Sequence, residues 1–396
     1  MLSEKILAWG KSRSCIRELA EYGAARKAQI GVENVFDFSI GNPSISAPDC
    51  VNETIAELIR GDSISLHGYT TAAGLMSLRT RIADDMNAKF GTNVSPERIY
   101  VTCGAAAAIA ISLRSVLLPG DEVVVLAPFF PEYRVFIEAS GGVLKAAPPR
   151  GGDFQLDIAA FEAALTEKTK AVIINSPNNP SGVVLSAESL QELSDALRRH
   201  EARLGRPVYL ICDEPYRELV YDGAEVPCVF NYYDDSFVCY SFSKSMSVPG
   251  ERIGYIAVGP HMNDGDNIYF AVMGAGRALG YVNPPSLFQR VVEKCLGQTA
   301  DISKYRENRD ALCAGLRRLG FDCIEPQGAF YLFVKSPEPN AKIFSERAKR
   351  HELLLVPSDD FGIPGYVRIA YCVSRDMIER AMPAFEALAR EYKLIK

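Results

Sequence analysis

The chain is poor in the features that mark several protein classes. Histidine occurs only 4 times, at 67, 200, 261 and 351, with no H-E-x-x-H or similar spacing. That argues against a histidine-based metal site. Ten cysteines are scattered from Cys15 to Cys372, and none is paired as C-x-x-C. Several lie inside apolar runs such as "YLIC" and "FVCY", which predicts buried thiols in a reducing compartment rather than disulfides or a zinc site. No long block of Lys and Arg occurs, and the formal net charge is −6, so a nucleic-acid arm is set aside and a small-molecule substrate is the default. The most apolar stretch, "CGAAAAIAISL", is too short to cross a membrane. The opening "MLSEKILAWGKSRSCIREL" carries charge throughout and lacks the apolar centre of a secretory signal. The expectation is a cytoplasmic protein.

What is present is an ordinary globular composition. Hydrophobic residues make up 48% and charged residues 23% of the 396, enough for a sizeable core and for two or three domains by length. From about residue 98, short apolar runs alternate with longer amphipathic ones. "RIYVTCG", "EVVVLAP", "AVIINSP", "PVYLICDEP", "SFVCYSFSK" and "RIGYIAVG" read as strands. "AAAAIAISLRSVL", "PEYRVFIEAS" and the segment opened by Ser186 and stopped by Gly205 read as helices. Strands buried on both faces read as continuous apolar runs, and helices between them imply βα crossovers. The pattern therefore predicts an α/β fold: a mainly parallel sheet flanked by helices, over about 49–287. The C-terminal part, 288–396, has a hairpin-like "GFDCIEPQGAFYLFVKS", a helix, the strand "GYVRIAYC" and a final helix, which predicts a smaller α+β domain. The first 48 residues are expected to join it as an arm.

In an open α/β sheet, ligands bind beyond the carboxyl ends of the strands. The polar residues at those ends are Gly104, Asn179, Asp213, Ser241, Ser243 and Lys244, with Arg252 eight positions after the lysine. Helix N–H groups after Gly104, two hydroxyls and a guanidinium suit a phosphate. A lysine drawn into such a pocket loses hydration and becomes nucleophilic toward an aldehyde. An aspartate there can hold a proton on a pyridine nitrogen. Taken singly, these residues have plainer readings: a packed helix, a surface ion pair, a snorkelling lysine, a turn cap. Their joint occurrence points to pyridoxal 5'-phosphate.

At this point the chain resembles the fold-type I pyridoxal-phosphate-dependent aminotransferases of class I/II, of the aspartate aminotransferase kind, over nearly its whole length. "SPNNPSG" (176–182) is similar to that family's N-P-x-N-P-T-G, with Ser176 and Ser181 as departures. "DEPYREL" (213–219) is similar to its D-x-x-Y element, "SFSKSMSVPGERIGY" (241–255) to its S-x-x-K…G-x-R-x-G signature, and "HGYTTAAG" (67–74) to its G-Y-x-x-x-x-G stretch. "GYVRIAYC" (365–372) resembles the strand that carries its substrate arginine.

The resemblance implies a role for each residue. Lys244 would hold the cofactor as a Schiff base and shuttle the proton. Asp213 would pair with the pyridinium nitrogen, while Tyr216 and Asn179 would bond the ring oxygen. The amides of Ala105 and Ala106, with Ser241, Ser243 and Arg252, would hold the phosphate. Phe130 would stack on the ring. Arg368, helped by the Gly41 region and Asn179, would take the substrate carboxylate. Tyr69 would reach the phosphate of a neighbouring subunit, which implies a homodimer with shared sites. The implied activity is ping-pong transamination between an L-amino acid and a 2-oxo acid, with 2-oxoglutarate as acceptor and aspartate among the donors; the alternative is a β-lyase on the same fold. A cofactor-binding transcription regulator is disfavoured, because only about 35 residues precede "FDFSIGNP" and none forms a basic recognition helix. The amino donor stays open. Ala106 stands where some relatives carry a lysine for a distal carboxylate. Arg277, in "GRALGYVNPPS", is one residue out of register with an arginine that another subgroup supplies from the partner subunit, and a helix-surface or interface role is the commoner one.

Overall fold

The computed structural model describes residues 2–11 and 14–396. The chain opens with helices, then a two-residue strand β1 (Phe36–Asp37). Seven strands then build the main sheet: β2 (Ile99–Thr102), β3 (Glu122–Leu126), β4 (Val143–Ala147), β5 (Thr169–Asn175), β6 (Tyr209–Asp213), β7 (Ser236–Ser241) and β8 (Gly254–Val258). Their spatial order is β2-β8-β7-β6-β5-β3-β4. Only β8 runs against its neighbours, pairing antiparallel with β2 and β7; the other pairs are parallel. The mainly parallel α/β sheet expected from the alternating pattern is what forms.

Side-chain period explains why these runs are apolar throughout. Successive residues of a strand point to opposite faces. Val124, Val172, Leu210, Cys212 and Val238 join one hydrophobic cluster, while Val123, Ala171, Ile173, Ile211 and Phe237 join another on the opposite face. Helices cover both, so neither face tolerates a polar residue until the strand ends. One strand escapes the sequence pattern: β4, "VLKAA", is mostly exposed. It is the sheet edge, and its Lys145 lies 3.5 Å from Glu122 of β3. A short, charged edge strand suits an unpaired margin, and that lowers its apolar signal.

The C-terminal part forms a second sheet. Strands β9 (Cys323–Ile324), β10 (Tyr331–Lys335), β12 (Val356–Pro357) and β13 (Tyr366–Ala370) lie in the order β12-β13-β10-β9, all antiparallel. Strand β11 (Leu353–Leu354) pairs in parallel with β1. The N-terminal stretch thereby runs alongside the C-terminal strands and carries "DFSIGNP" toward the main sheet.

Candidate active site

The polar ends of the central strands open onto one cavity of about 280 Å³. Of the residues singled out by sequence, Gly41, Ala105, Ala106, Phe130, Asn179, Asp213, Tyr216, Lys244 and Arg368 line it. These come from both sheets and from the N-terminal stretch.

Asp213 ends β6 and is buried. Its Oδ2 accepts from Tyr133 at 2.5 Å and lies 3.5 Å from Asn175 Nδ2. Its Oδ1 has no hydrogen-bond partner. Burial pushes this carboxyl up to about 7, against the opposing hydrogen bond from Tyr133. A buried, half-satisfied carboxylate is costly, and a cation or N–H donor beside Oδ1 would relieve it.

Lys244 sits on the single helical turn Phe242–Ser245 that follows β7. Its Nζ donates to Gly41 O at 2.7 Å. Desolvation draws its pKa down to about 8, with the charges of Arg252 and Arg368 adding to the effect and Cys372 opposing it. A substantial neutral-amine fraction then exists near neutral pH, which a nucleophilic lysine needs. Gly41 has a steric reason as well: a Cβ there would lie 1.9 Å from the Tyr331 hydroxyl.

Gly104 stands before the helix Ala105–Val116 with φ +86, a conformation that favours glycine. A Cβ there would meet Arg252 Nη2 at 2.7 Å, so the bare backbone lets the guanidinium lie against the helix start. The first N–H groups of a helix lack intrahelical partners, and here the first two residues, Ala105 and Ala106, line the cavity. Arg252 Nη1 donates to Ser243 Oγ at 3.2 Å, and Ser241 Oγ donates to Ser243 Oγ at 2.7 Å. Amides, hydroxyls and a guanidinium thus gather around this helix start, an anion-binding set.

Arg368 enters from the middle of β13, between Val356 of β12 and Phe333 of β10. Its neighbours Val367 and Ile369 pack into the small-sheet core, so strand alternation turns Arg368 the other way. Its Nη1 donates to Asn179 Oδ1 at 3.0 Å and Nη2 to Ser39 O at 2.5 Å, while Nε has no partner. Its guanidinium lies 4.6 Å from the Tyr331 ring centroid. Tyr216 is 3.0 Å from Tyr331, hydroxyl to hydroxyl.

Three residues were not singled out by sequence. Tyr133 anchors Asp213. Asn175, paired in register with Asp213, donates to Asp213 O at 2.8 Å and accepts from Asn179 N at 2.7 Å. Tyr331 joins Tyr216 to Arg368. Asn175 had a signal, as the polar end of the apolar run "AVIIN". Tyr331 had none, since "AFYLFV" reads as core. Ser241, Ser243 and Arg252 are not among the residues that line the cavity; Tyr69, 96% exposed, and Arg277, exposed in the last turn of the helix Gly265–Leu279, stand on the surface of their own chain.

The family described as aminotransferase class I and II matches residues 33–385. The chain belongs to this family. A crystal structure of an aminotransferase from Eubacterium rectale superposes with a TM-score of 0.97 at 51% identity, covering 99% of each chain. The aspartate aminotransferase of Thermus thermophilus with maleate gives 0.86 at 26% identity, covering 98% of this chain and 99% of that one. Among curated relatives, a probable aspartate/prephenate aminotransferase of Thermus aquaticus is 30% identical over 357 residues, 87% of this chain and 89% of that protein. The aspartate aminotransferase of Thermotoga maritima is 29% identical over 94% of this chain and 96% of its own length. This aminotransferase is thus a transferase of amino groups, built on the fold of the aspartate aminotransferases. Among its described residues no helix is long and apolar enough to cross a membrane.

Proposed function

We propose that the chain is a pyridoxal 5'-phosphate-dependent aminotransferase whose cofactor occupies the cavity between Lys244, Asp213 and the start of the Ala105 helix. The observation that carries this reading is buried Asp213 with its unpaired Oδ1, a residue that lines the same cavity as a desolvated lysine and an anion-binding helix start. Donor chemistry fits the group at each end. Ala105 and Ala106 amides, Ser241, Ser243 and Arg252 would hold the phosphate; Asp213 would hold the pyridinium nitrogen; Phe130 would stack on the ring; Tyr216 and Asn179 would bond its oxygen; Lys244 would attach it covalently as a Schiff base. When bound, the cofactor supplies an electron sink for the carbanion left by proton loss at the substrate α-carbon.

The chain's own residues do the rest. Arg368 presents two parallel N–H groups, a fork that fixes a carboxylate's direction as well as its charge. Its present partners are neutral oxygens, so an incoming carboxylate becomes its counter-ion. Burial keeps Lys244 Nζ able to take up and release a proton near neutral pH. Asp213, held by Tyr133, would as a carboxylate favour the protonated form of the ring nitrogen. Phe130, Tyr331 and Ile16 add apolar surface to the cavity wall, which limits the water beside a bound substrate.

The cycle we propose is ping-pong, with 2-oxoglutarate as acceptor and aspartate among the donors. The working unit is a homodimer, supported by Tyr69, whose ring stands free of its own chain. A cytoplasmic setting is supported by ten free cysteines, seven of them buried. The test is spectroscopic and chemical. Purified protein should be yellow, and Lys244→Ala should lose the band shift that a lysine link produces. Incubated with an amino acid and 2-oxoglutarate, wild type should yield glutamate and a 2-oxo acid. Ammonia and pyruvate in place of glutamate would instead identify a β-lyase.

A further inference from the structure

The segment Asp213–Glu218 and the turn Phe242–Ser245 present residues to two opposite sides. Asp213, Tyr216 and Lys244 line the large cavity. Arg217, Glu218 and Ser245 line a second, much smaller cavity behind it, with Tyr240 and Tyr255. No step proposed above uses that reverse side, yet it is built from buried charge. Glu214 is 2% and Arg217 7% exposed.

The contacts there are continuous. Arg217 Nε donates to Glu214 Oε2 at 2.5 Å, and Nη1 donates to the Tyr255 hydroxyl at 3.1 Å. The guanidinium lies 4.8 Å from the Tyr240 ring centroid and 5.3 Å from that of Phe90. Tyr240 stacks on Tyr255 at 5.0 Å and 27°. The Tyr240 hydroxyl donates to Glu218 Oε2 at 2.7 Å and lies 2.9 Å from Ser245 Oγ. The run begins at the residue after Asp213, passes the residue after Tyr216 and ends at the residue after Lys244.

We propose that Glu214, Arg217, Tyr240, Tyr255 and Ser245 are positioning residues that hold Asp213, Tyr216 and Lys244 in one mutual geometry. The inference rests on the reading of those three as the cofactor-holding groups. Its physical basis is adjacency. A side chain clamped on one side of the backbone restricts the peptide planes that aim its neighbours to the other side. Stability alone is a weak reason for the pair, because replacing a buried ion pair by apolar residues of similar volume is often neutral or stabilising. Supporting shells that lock a functional group's direction are a stronger reason.

That contrast supplies the test. The holoenzyme of the double variant Glu214→Leu/Arg217→Met should melt close to wild type. Its kcat should nevertheless fall by about tenfold with KM little changed. The pH midpoint of its visible absorbance should move by about half a unit or more. Amide hydrogen exchange in 213–218 and 242–246 should quicken. A well-folded double variant with wild-type kcat, pH midpoint and exchange would overturn the proposal. If that variant does not fold, Tyr240→Phe decides by the same readouts, because it removes only the hydroxyl that joins Glu218 to Ser245; wild-type values for it would equally overturn the proposal. Wild-type protein without a visible band would refute the cofactor reading instead, and hydrogen exchange would still decide the network.

Discussion

Two arginines, Arg217 and Arg368, are buried, and they are used differently. Arg217 has a carboxylate partner three residues upstream, Glu214, both of its contacts at 2.5 Å. Arg368, 2% exposed, bonds the neutral oxygens of Asn179 and Ser39 and leaves Nε unpaired. A buried charge is costly unless paired. Arg217 has its counter-ion within the fold, although its Nη2 and Glu214 Oε1 make no hydrogen bond; Arg368 has only neutral partners and is open to an anion that arrives. Asp213 repeats the second case with the opposite sign: one oxygen is held by Tyr133 and the other is unpaired. The lesson is that burial and an unpaired polar atom mark both kinds of residue, and the opposite charge within reach separates them.

The contrast can be broken experimentally, and the largest effect falls on the unpaired side. Lys244→Ala should abolish turnover, read as glutamate formed from an amino acid and 2-oxoglutarate; full turnover would sink the assignment.

Asp213→Asn comes next and should act in two directions. The chemical step should slow by about a hundredfold or more, measured in single turnovers with cofactor bound. Cofactor-free stability should rise. The sign follows from a carboxyl raised to about 7 when folded, against the ordinary aspartate value of 3.8. Between those values the folded state binds the extra proton, so wild-type stability falls as pH climbs from about 4 to about 7 and the penalty is complete above that. Asn has no such penalty. Its advantage in thermal melts should be greatest above pH 7 and should fade toward pH 4; an advantage independent of pH would contradict the assignment.

Arg368→Lys should raise KM by about ten- to a hundredfold for every amino acid alike, because a point charge cannot reproduce the two-pronged carboxylate bond. A loss confined to one substrate would break its reading as the α-carboxylate site. On the paired side, Arg217→Met alone should cost about 3–5 kcal/mol in denaturant unfolding, since it strands Glu214 without its cation. Asp213→Asn and Arg217→Met thus shift stability in opposite senses, which is the comparison in its sharpest form.

The smallest effect is expected at Arg277, exposed on its own chain. Arg277→Ala should leave KM for alanine and aspartate within about twofold of wild type, as for a surface charge. A selective rise for aspartate would show that the partner subunit's copy meets the distal carboxylate.

Much of this was legible beforehand. Strands β2, β3, β5, β6, β7 and β8 announced themselves as apolar runs because both faces of the sheet are covered, and polar residues at or near the ends of several of them marked the site. Lys244, Asp213, Asn179 and Arg252 were readable because each is a polar residue at or within a few positions of the end of such a run. Edge strand β4 was not, because an exposed edge needs no apolar pattern. Tyr133 and Tyr331 were not, because a tyrosine in an apolar stretch looks the same whether its hydroxyl meets a carboxylate or a core carbonyl.

The sequence by itself determined which residues stand at strand ends, since side-chain alternation and burial act locally along the chain. It also determined the pairing of Glu214 with Arg217, three positions apart on one loop. Only the tertiary structure decided that Arg368 faces Asn179 and Ser39, 189 and 329 positions away, that Gly41 O meets Lys244 from 203 positions away, and that Asp213 keeps one oxygen unpaired. Those facts depend on where two separate sheets come to rest against each other. The packing of both hydrophobic cores sets that relation, and no local pattern in the chain contains it.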